Sequence, residues 1–288
     1  MSVEIAMAAA LMASLGVGLS ALLAIANSRL YVEEDPRIDI VEDLLPKANC
    51  GACGQAGCRA FAEQVVEGKV APSLCTVSSP KGIEAIASFL GVEAGKQEKR
   101  VARLACAGGR HVAKQHAIYE GMTSCRAAHL VGGGGKGCSW GCLGLADCME
   151  ACKFGAITMN AYGLPVVDET KCTACNDCVV ACPRHLFTLQ PVSRRLWVAC
   201  MSLSKGDEAE RECEVACTGC GLCAADAPGV IAIQNNLAVV DYTKNGLATP
   251  DAIQRCPTGA IVWLDDHRGA VKGANAKKIT RKSPLPIM

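Results

Sequence analysis

Lys171-Cys172-Thr173-Ala174-Cys175-Asn176-Asp177-Cys178-Val179-Val180-Ala181-Cys182-Pro183 spaces four cysteines by two, two and three residues and closes on a proline. In bacterial proteins this run gives three thiolates to one iron–sulfur cube and its fourth to a second cluster. The chemistry accounts for the spacing. Three thiolates on a tight loop grip three corners of a [4Fe–4S] cube only when they are a few residues apart, so the fourth corner comes from elsewhere. Pro183 ends the loop and directs the chain away. Zinc sites pair two CxxC units rather than chaining three cysteines, which makes zinc a poor reading here.

A companion lies upstream, Cys138-x3-Cys142-x5-Cys148-x3-Cys152, looser in spacing but matching in count and order. The crossed rule of two-cluster ferredoxins then predicts one cluster on Cys138, Cys142, Cys148 and Cys182. It predicts the other on Cys172, Cys175, Cys178 and Cys152. Lys153 stands where a proline is usual.

Downstream, Cys217-x2-Cys220-x2-Cys223 repeats the first three positions, but Ala227 occupies the fourth, followed by Pro228. The next cysteine is Cys256, itself followed by Pro257. Counting back from it puts Gly246, Thr249 and Ala252 where a second trio would stand. All ligands of one cluster are gone while those of its neighbour remain, which predicts a single cluster on Cys217, Cys220, Cys223 and Cys256. Cys213 is a secondary candidate.

The amino-terminal set, Cys50, Cys53, Cys58 and Cys75, is of a different type. Its Gly- and Ala-rich surroundings let the backbone wrap closely and aim N–H groups at sulfur. Alone it could hold zinc; beside the other runs it reads as a fourth [4Fe–4S] site. Cys106, Cys125, Cys200 and Cys213 are left unassigned. Their plain reading is thiols that support packing. The sharper one is an extra metal site or a redox-active pair.

The rest of the chain fits an electron carrier. Of 288 residues 20 are cysteine and only 11 aromatic, which suggests small modules stabilised by something other than large side chains. A net charge of +1 argues against a nucleic-acid partner. Ile5 to Ser28 carries no charge and is long enough to cross a bilayer. Met1-Ser2-Val3-Glu4 lacks the basic start of a signal peptide, so the run reads as a retained anchor. The bases after it (Arg29, Arg37 and Lys47) place the bulk of the chain in the cytoplasm, where thiols stay reduced.

The expected fold class is α+β: a transmembrane helix (1–30), a small 4Fe–4S domain (31–94) and tandem ferredoxin-like modules. A connector (95–136) precedes a two-cluster module (137–190) and an eroded one-cluster module (191–266), and a basic tail (267–288) reads as disordered or peripheral. Val166-Val167-Asp168 recurs as Val239-Val240-Asp241, marking a hairpin in each module. The glycines at 132, 134 and 137 do not open a βαβ unit, and Lys136 precedes Gly137 rather than Ser or Thr, so no nucleotide loop is expected. No nucleophile–base set is present, and no catalytic residue is assigned.

The combination resembles the RnfB family, the iron–sulfur component of the Rnf electron-transport complex. The resemblance rests on the anchor, the Leu44 to Cys58 segment with Cys75, Gly137-Cys138-Ser139-Trp140-Gly141-Cys142-Leu143-Gly144, and the run at Cys172. The added set at Cys217 is similar to the extended members of that family. The spacings give four [4Fe–4S] clusters, and the resemblance implies that they form an iron–sulfur relay in a Na⁺- or H⁺-translocating ferredoxin:NAD oxidoreductase of a bacterial or archaeal cytoplasmic membrane. The implied partners are soluble ferredoxin and the other membrane and cytoplasmic subunits. Flavin, NAD and ion sites would lie in those subunits. Two alternatives remain: a related complex that reduces a redox-sensing regulator, and a zinc-organised docking protein.

Overall fold

The computed structural model describes residues 2–30 and 34–287. Helix α1 (Ser2–Leu30) is exposed along its length, and Val3–Leu30 is long and apolar enough to cross a membrane. At 1.5 Å per residue its 28 residues span about 42 Å, more than the ~30 Å hydrocarbon core.

Three helices build the small domain that follows: α2 (Pro36–Leu44), α3 (Cys58–Val66) and α4 (Pro80–Leu90). Asp35 caps α2 by accepting from the Arg37 N–H, and Ser79 caps α4 by accepting from the Gly82 N–H. Proline opens both helices, where its missing N–H costs nothing. Val41, Leu45, Phe61, Ala62, Val65 and Ile86 close a core separate from the rest, with Cys75 at its edge. Arg59 on α3 bridges to Asp39 and Glu42 on α2 at 3.0 and 2.9 Å.

Two modules of like construction follow. The first opens on β1 (Arg100–Leu104) and continues through α5 (Cys125–Leu130), α6 (Asp147–Glu150), β2 (Ile157–Met159), β3 (Pro165–Val167) and α7 (Asp177–Ala181). It closes on β4 (Phe187–Pro191), which pairs antiparallel with β1 from Arg100↔Pro191 to Leu104↔Phe187. Residues 100–104, read from sequence as connector, are therefore a structural strand of the module. Their apolar residues lie inward: Val101 and Ala102 are buried.

The second module opens on β5 (Leu196–Val198), then α8 (Gly206–Glu212), α9 (Leu222–Asp226), β6 (Ile231–Gln234) and β7 (Leu237–Val240). It closes on β8 (Ile261–Asp265), which pairs with β5. The β6–β7 turn, Asn235-Asn236, has both residues at positive φ, as a two-residue type I′ hairpin requires. Where the first module has α7, the second has two short 3₁₀ turns, Tyr242–Leu247 and Pro250–Ile253. Ala252 and Ile253 are fully buried there. Protein side chains fill what a second cluster loop would have framed.

The basic tail, expected to be disordered or peripheral, makes ordered contacts at several points. Strand β9 (Gly269–Lys272) pairs with β8, Arg281 donates to the His111 carbonyl at 2.8 Å, and the Leu285 N–H donates to the Arg110 carbonyl at 2.9 Å. Backbone pairing and Glu214, 3.1 Å from Arg281, outweigh the repulsion among its bases.

Candidate metal centres

Cysteine loops in both modules share one backbone pattern. Residues 142-145-148-152, 172-175-178-182 and 217-220-223-227 follow identical intervals, and a residue at positive φ lies on each side of every second position. These flanks are Gly144 and Ala146, Ala174 and Asn176, and Gly219 and Gly221, all with φ between 57 and 79°. Ala146, Ala174 and Asn176 carry a Cβ there, a strain of about 1 kcal/mol that is tolerated where the surroundings fix the loop. The conformation turns each loop inward around a space lined by sulfur.

Three such spaces have nearly the same size. Cys152, Cys172, Cys175 and Cys178 line about 320 Å³. Cys217, Cys220, Cys223 and Cys256 line about 350 Å³. These two quartets are the ones expected from sequence. The third space, about 330 Å³, is lined by Cys142, Cys148, Cys182 and Cys125 rather than Cys138. In that loop Leu145 holds the second position, and Cys138 lies four residues before its first cysteine. The Cys125 thiol lines this space, and Asp147 on α6 accepts from the Cys125 and Arg126 N–H groups at 2.8 and 3.0 Å and pins α5 beside the loop. The shared interval of six residues, Cys142 to Cys148 and Cys217 to Cys223, is the signal that gives this register.

Cys138 lies instead on a fourth space of about 310 Å³, with Cys106, Cys200 and Cys213. In the amino-terminal domain Cys53, Cys58 and Cys75 border the apolar core, and Ser78 donates to the Cys75 sulfur at 3.2 Å. The Asn49 side chain accepts from the Cys58 N–H at 2.8 Å and folds the Gly-rich loop back on α3. Burial, with the Cys75 and Cys50 sulfurs nearby, pushes the Cys53 thiol up.

The surroundings suit anionic clusters. Backbone N–H groups approach sulfur at 3.3–3.4 Å, from Ala102 to Cys172, Ala156 to Cys152 and Leu186 to Cys182. The half-buried Arg184 guanidinium donates to the Cys138 and Gly141 carbonyls at 2.9 and 2.6 Å, and its Nε has no protein partner. Burial above all pushes the thiols of Cys142, Cys148, Cys178 and Cys223 up to about 12. Bare thiols here are neutral at physiological pH, so metal binding has to displace their protons. Among the described residues no three His, Cys, Asp or Glu side chains converge on a point that could hold a single ion. The thiols of each quartet line one shared space.

Known proteins agree with this chemistry. A family model described as an Fe–S cluster domain matches residues 45–77, and a 4Fe–4S binding domain model matches residues 164–187. The chain is 39% identical over 240 residues to the B component of the Na⁺-translocating ferredoxin:NAD⁺ oxidoreductase complex of Acetobacterium woodii, covering 83% of this chain and 72% of that protein. The chain belongs to the RnfB family. It is also 41% identical over 253 residues to the B component of the proton-translocating ferredoxin:NAD⁺ oxidoreductase complex of Clostridium ljungdahlii, covering 87% of this chain and 89% of that protein. With the B component of the ion-translocating oxidoreductase complex of Methanosarcina acetivorans the identity is 37% over 253 residues, 88% and 96% of the two chains. An RnfB chain is the electron-relay component of an oxidoreductase complex.

Proposed function

We propose that this RnfB chain takes single electrons from reduced ferredoxin and passes them through [4Fe–4S] clusters to the membrane subunits of a ferredoxin:NAD oxidoreductase. Helix α1 is its retained, single-pass anchor, and Arg29, Arg37 and Lys47 keep the bulk of the chain on the cytoplasmic side. The ligand sets are Cys50, Cys53, Cys58 and Cys75; Cys125, Cys142, Cys148 and Cys182; Cys152, Cys172, Cys175 and Cys178; and Cys217, Cys220, Cys223 and Cys256. The working units are the anchor, the domain of α2–α4 and the two modules.

What carries this reading is the set of cysteine quartets around spaces of 320–350 Å³, with no point-like ion site among the described residues. Each cluster supplies one-electron redox chemistry, and its potential follows from net charge, hydrogen bonds to sulfur and exposure. The chain contributes thiolates, N–H donors and, beside Cys138 and Gly141, the fixed positive charge of Arg184.

Mixing the anaerobic, detergent-purified chain with photoreduced soluble ferredoxin is expected to bleach its broad visible absorption within the mixing experiment. A colourless chain carrying stoichiometric zinc would overturn the proposal, and so would a coloured chain that reduced ferredoxin leaves unbleached.

A further inference from the structure

Cys106, Cys138, Cys200 and Cys213 are related in pairs by the repeat of the two modules. Cys106 lies two residues after β1 ends at Leu104, and Cys200 lies two residues after β5 ends at Val198. Cys138 stands four residues before Cys142, and Cys213 stands four before Cys217, the first ligand of each module's loop. Each module thus carries an insertion at the same point, between its opening strand and its first cluster ligand, with one cysteine at each end.

Hydrogen bonds repeat with the sequence. The Gly108 N–H donates to the Cys106 sulfur at 3.4 Å, and the Ser202 N–H donates to the Cys200 sulfur at 3.4 Å, each from two residues on. The Cys142 N–H donates to Cys106 at 3.4 Å, and the Cys217 N–H donates to Cys200 at 3.3 Å. The four thiols face one space of about 310 Å³, close in size to the three quartets above. Small residues (Ala107, Gly108, Ala113, Ala199 and Ala216) make up much of its wall, with Trp140 and Met201 also lining it. A Cβ added at Gly108 would stand 3.0 Å from the Cys213 sulfur and 3.6 Å from that of Cys106. Lys136 borders it and donates to the Gly108 and Cys142 carbonyls at 2.6 Å each, placing a positive charge at the wall of the space.

We infer that these four cysteines, two from each module, hold a fifth [4Fe–4S] cluster that bridges the modules on a local pseudo-two-fold axis. The inference rests on the relay reading above and extends it. Its neighbours are fixed by the hydrogen bonds: Cys142 is a ligand of one adjacent cluster and Cys217 of the other, and both present their N–H groups to this site. An electron arriving from the Cys125/Cys142/Cys148/Cys182 cluster reduces the bridging cluster by one unit. That cluster is reoxidised as it passes the electron to the Cys217/Cys220/Cys223/Cys256 cluster, or the reverse, and no bond is made or broken. All 20 cysteines are then used.

Iron and acid-labile sulfide of the anaerobic full-length chain, with cluster increments counted by native mass spectrometry, test the inference. About 20 iron and five cubane increments are expected. The paired substitutions Cys106→Ala with Cys200→Ala, and Cys138→Ala with Cys213→Ala, should each remove about four irons, and all four together should remove no more. About 16 irons in the unaltered chain, or a zinc ion in the fifth position, would overturn the bridging cluster while leaving the relay intact. If the substituted chains lose every cluster together through misfolding, the increment count of the unaltered chain decides: five supports the site and four refutes it. A chain without iron would instead refute the relay itself.

Discussion

Removing iron from the intact chain under anaerobic conditions is expected to unfold both modules while leaving α1 helical. The modules have little else to hold them. Their sheets are two- and three-stranded ladders of three to five residues, a size that is marginal in water without further packing. The core around β1 and β4 consists of Ala102, Ile157 and Phe187 with Cys148 and Cys178, so the sulfur-lined spaces sit where large side chains would otherwise meet. Binding free energy of a metal centre assembled from an unfolded chain is folding free energy. Its loss is comparable to the whole stability of a small domain, about 5–15 kcal/mol. Hydrogen exchange should show the β1–β4 and β5–β8 amides protected in the holo chain and exchanging freely after chelation, with α1 in detergent unchanged. Ladders that stay protected without iron would show that the polypeptide core suffices alone.

Replacing Cys125 by Ala is expected to remove one whole cluster, about four irons, although Cys125 lies outside every recognisable run. In the proposed ligand set its thiol stands in for the second position of the loop, which Leu145 occupies. Leu145 is flanked by Gly144 and Ala146, with φ of 73 and 72°. Cys220 sits between Gly219 and Gly221, with φ of 66 and 79°. The backbone at 145 is therefore already that of a ligand position. Adding Leu145→Cys to the Cys125→Ala chain should restore the four irons and the spin signal of that cluster. Full iron content in the Cys125→Ala chain would remove Cys125 from the site. Failure of the double substitution to restore iron would refute the register of the loop.

These two expectations mark where the sequence is legible. The run at Cys172 encodes its own geometry, because three thiolates on one loop have few ways to meet a cube. The crossed ligands Cys152 and Cys182 follow from it. The erosion of the final loop is readable for the same reason, and burial of Ala252 and Ile253 shows what replaced the ligands. The upstream set is matched by count and order alone. The proposed register has Leu145 in a ligand position, with a thiol from a separate helix, Cys125, lining the same space. The pairing of Cys106 with Cys200 and of Cys138 with Cys213 is long-range. It emerges only when the strand ends and first ligands of the two modules are superposed. Local polarity hides the ends of the modules. Arg100 to Leu104 and the basic tail look like linker and solvent-exposed charge, yet their backbone groups complete ladders with β4 and β8.

Low-temperature EPR of the fully reduced, anaerobic full-length chain tests the continuous relay most directly. The Cys142 and Cys217 N–H groups donate to the sulfurs of Cys106 and Cys200, so the clusters proposed on these residues are expected to be magnetically coupled. A broadened, interacting spectrum integrating to about five spins per chain is therefore expected. A spectrum that is a simple sum of isolated, unbroadened signals, or the absence of any signal, would contradict it.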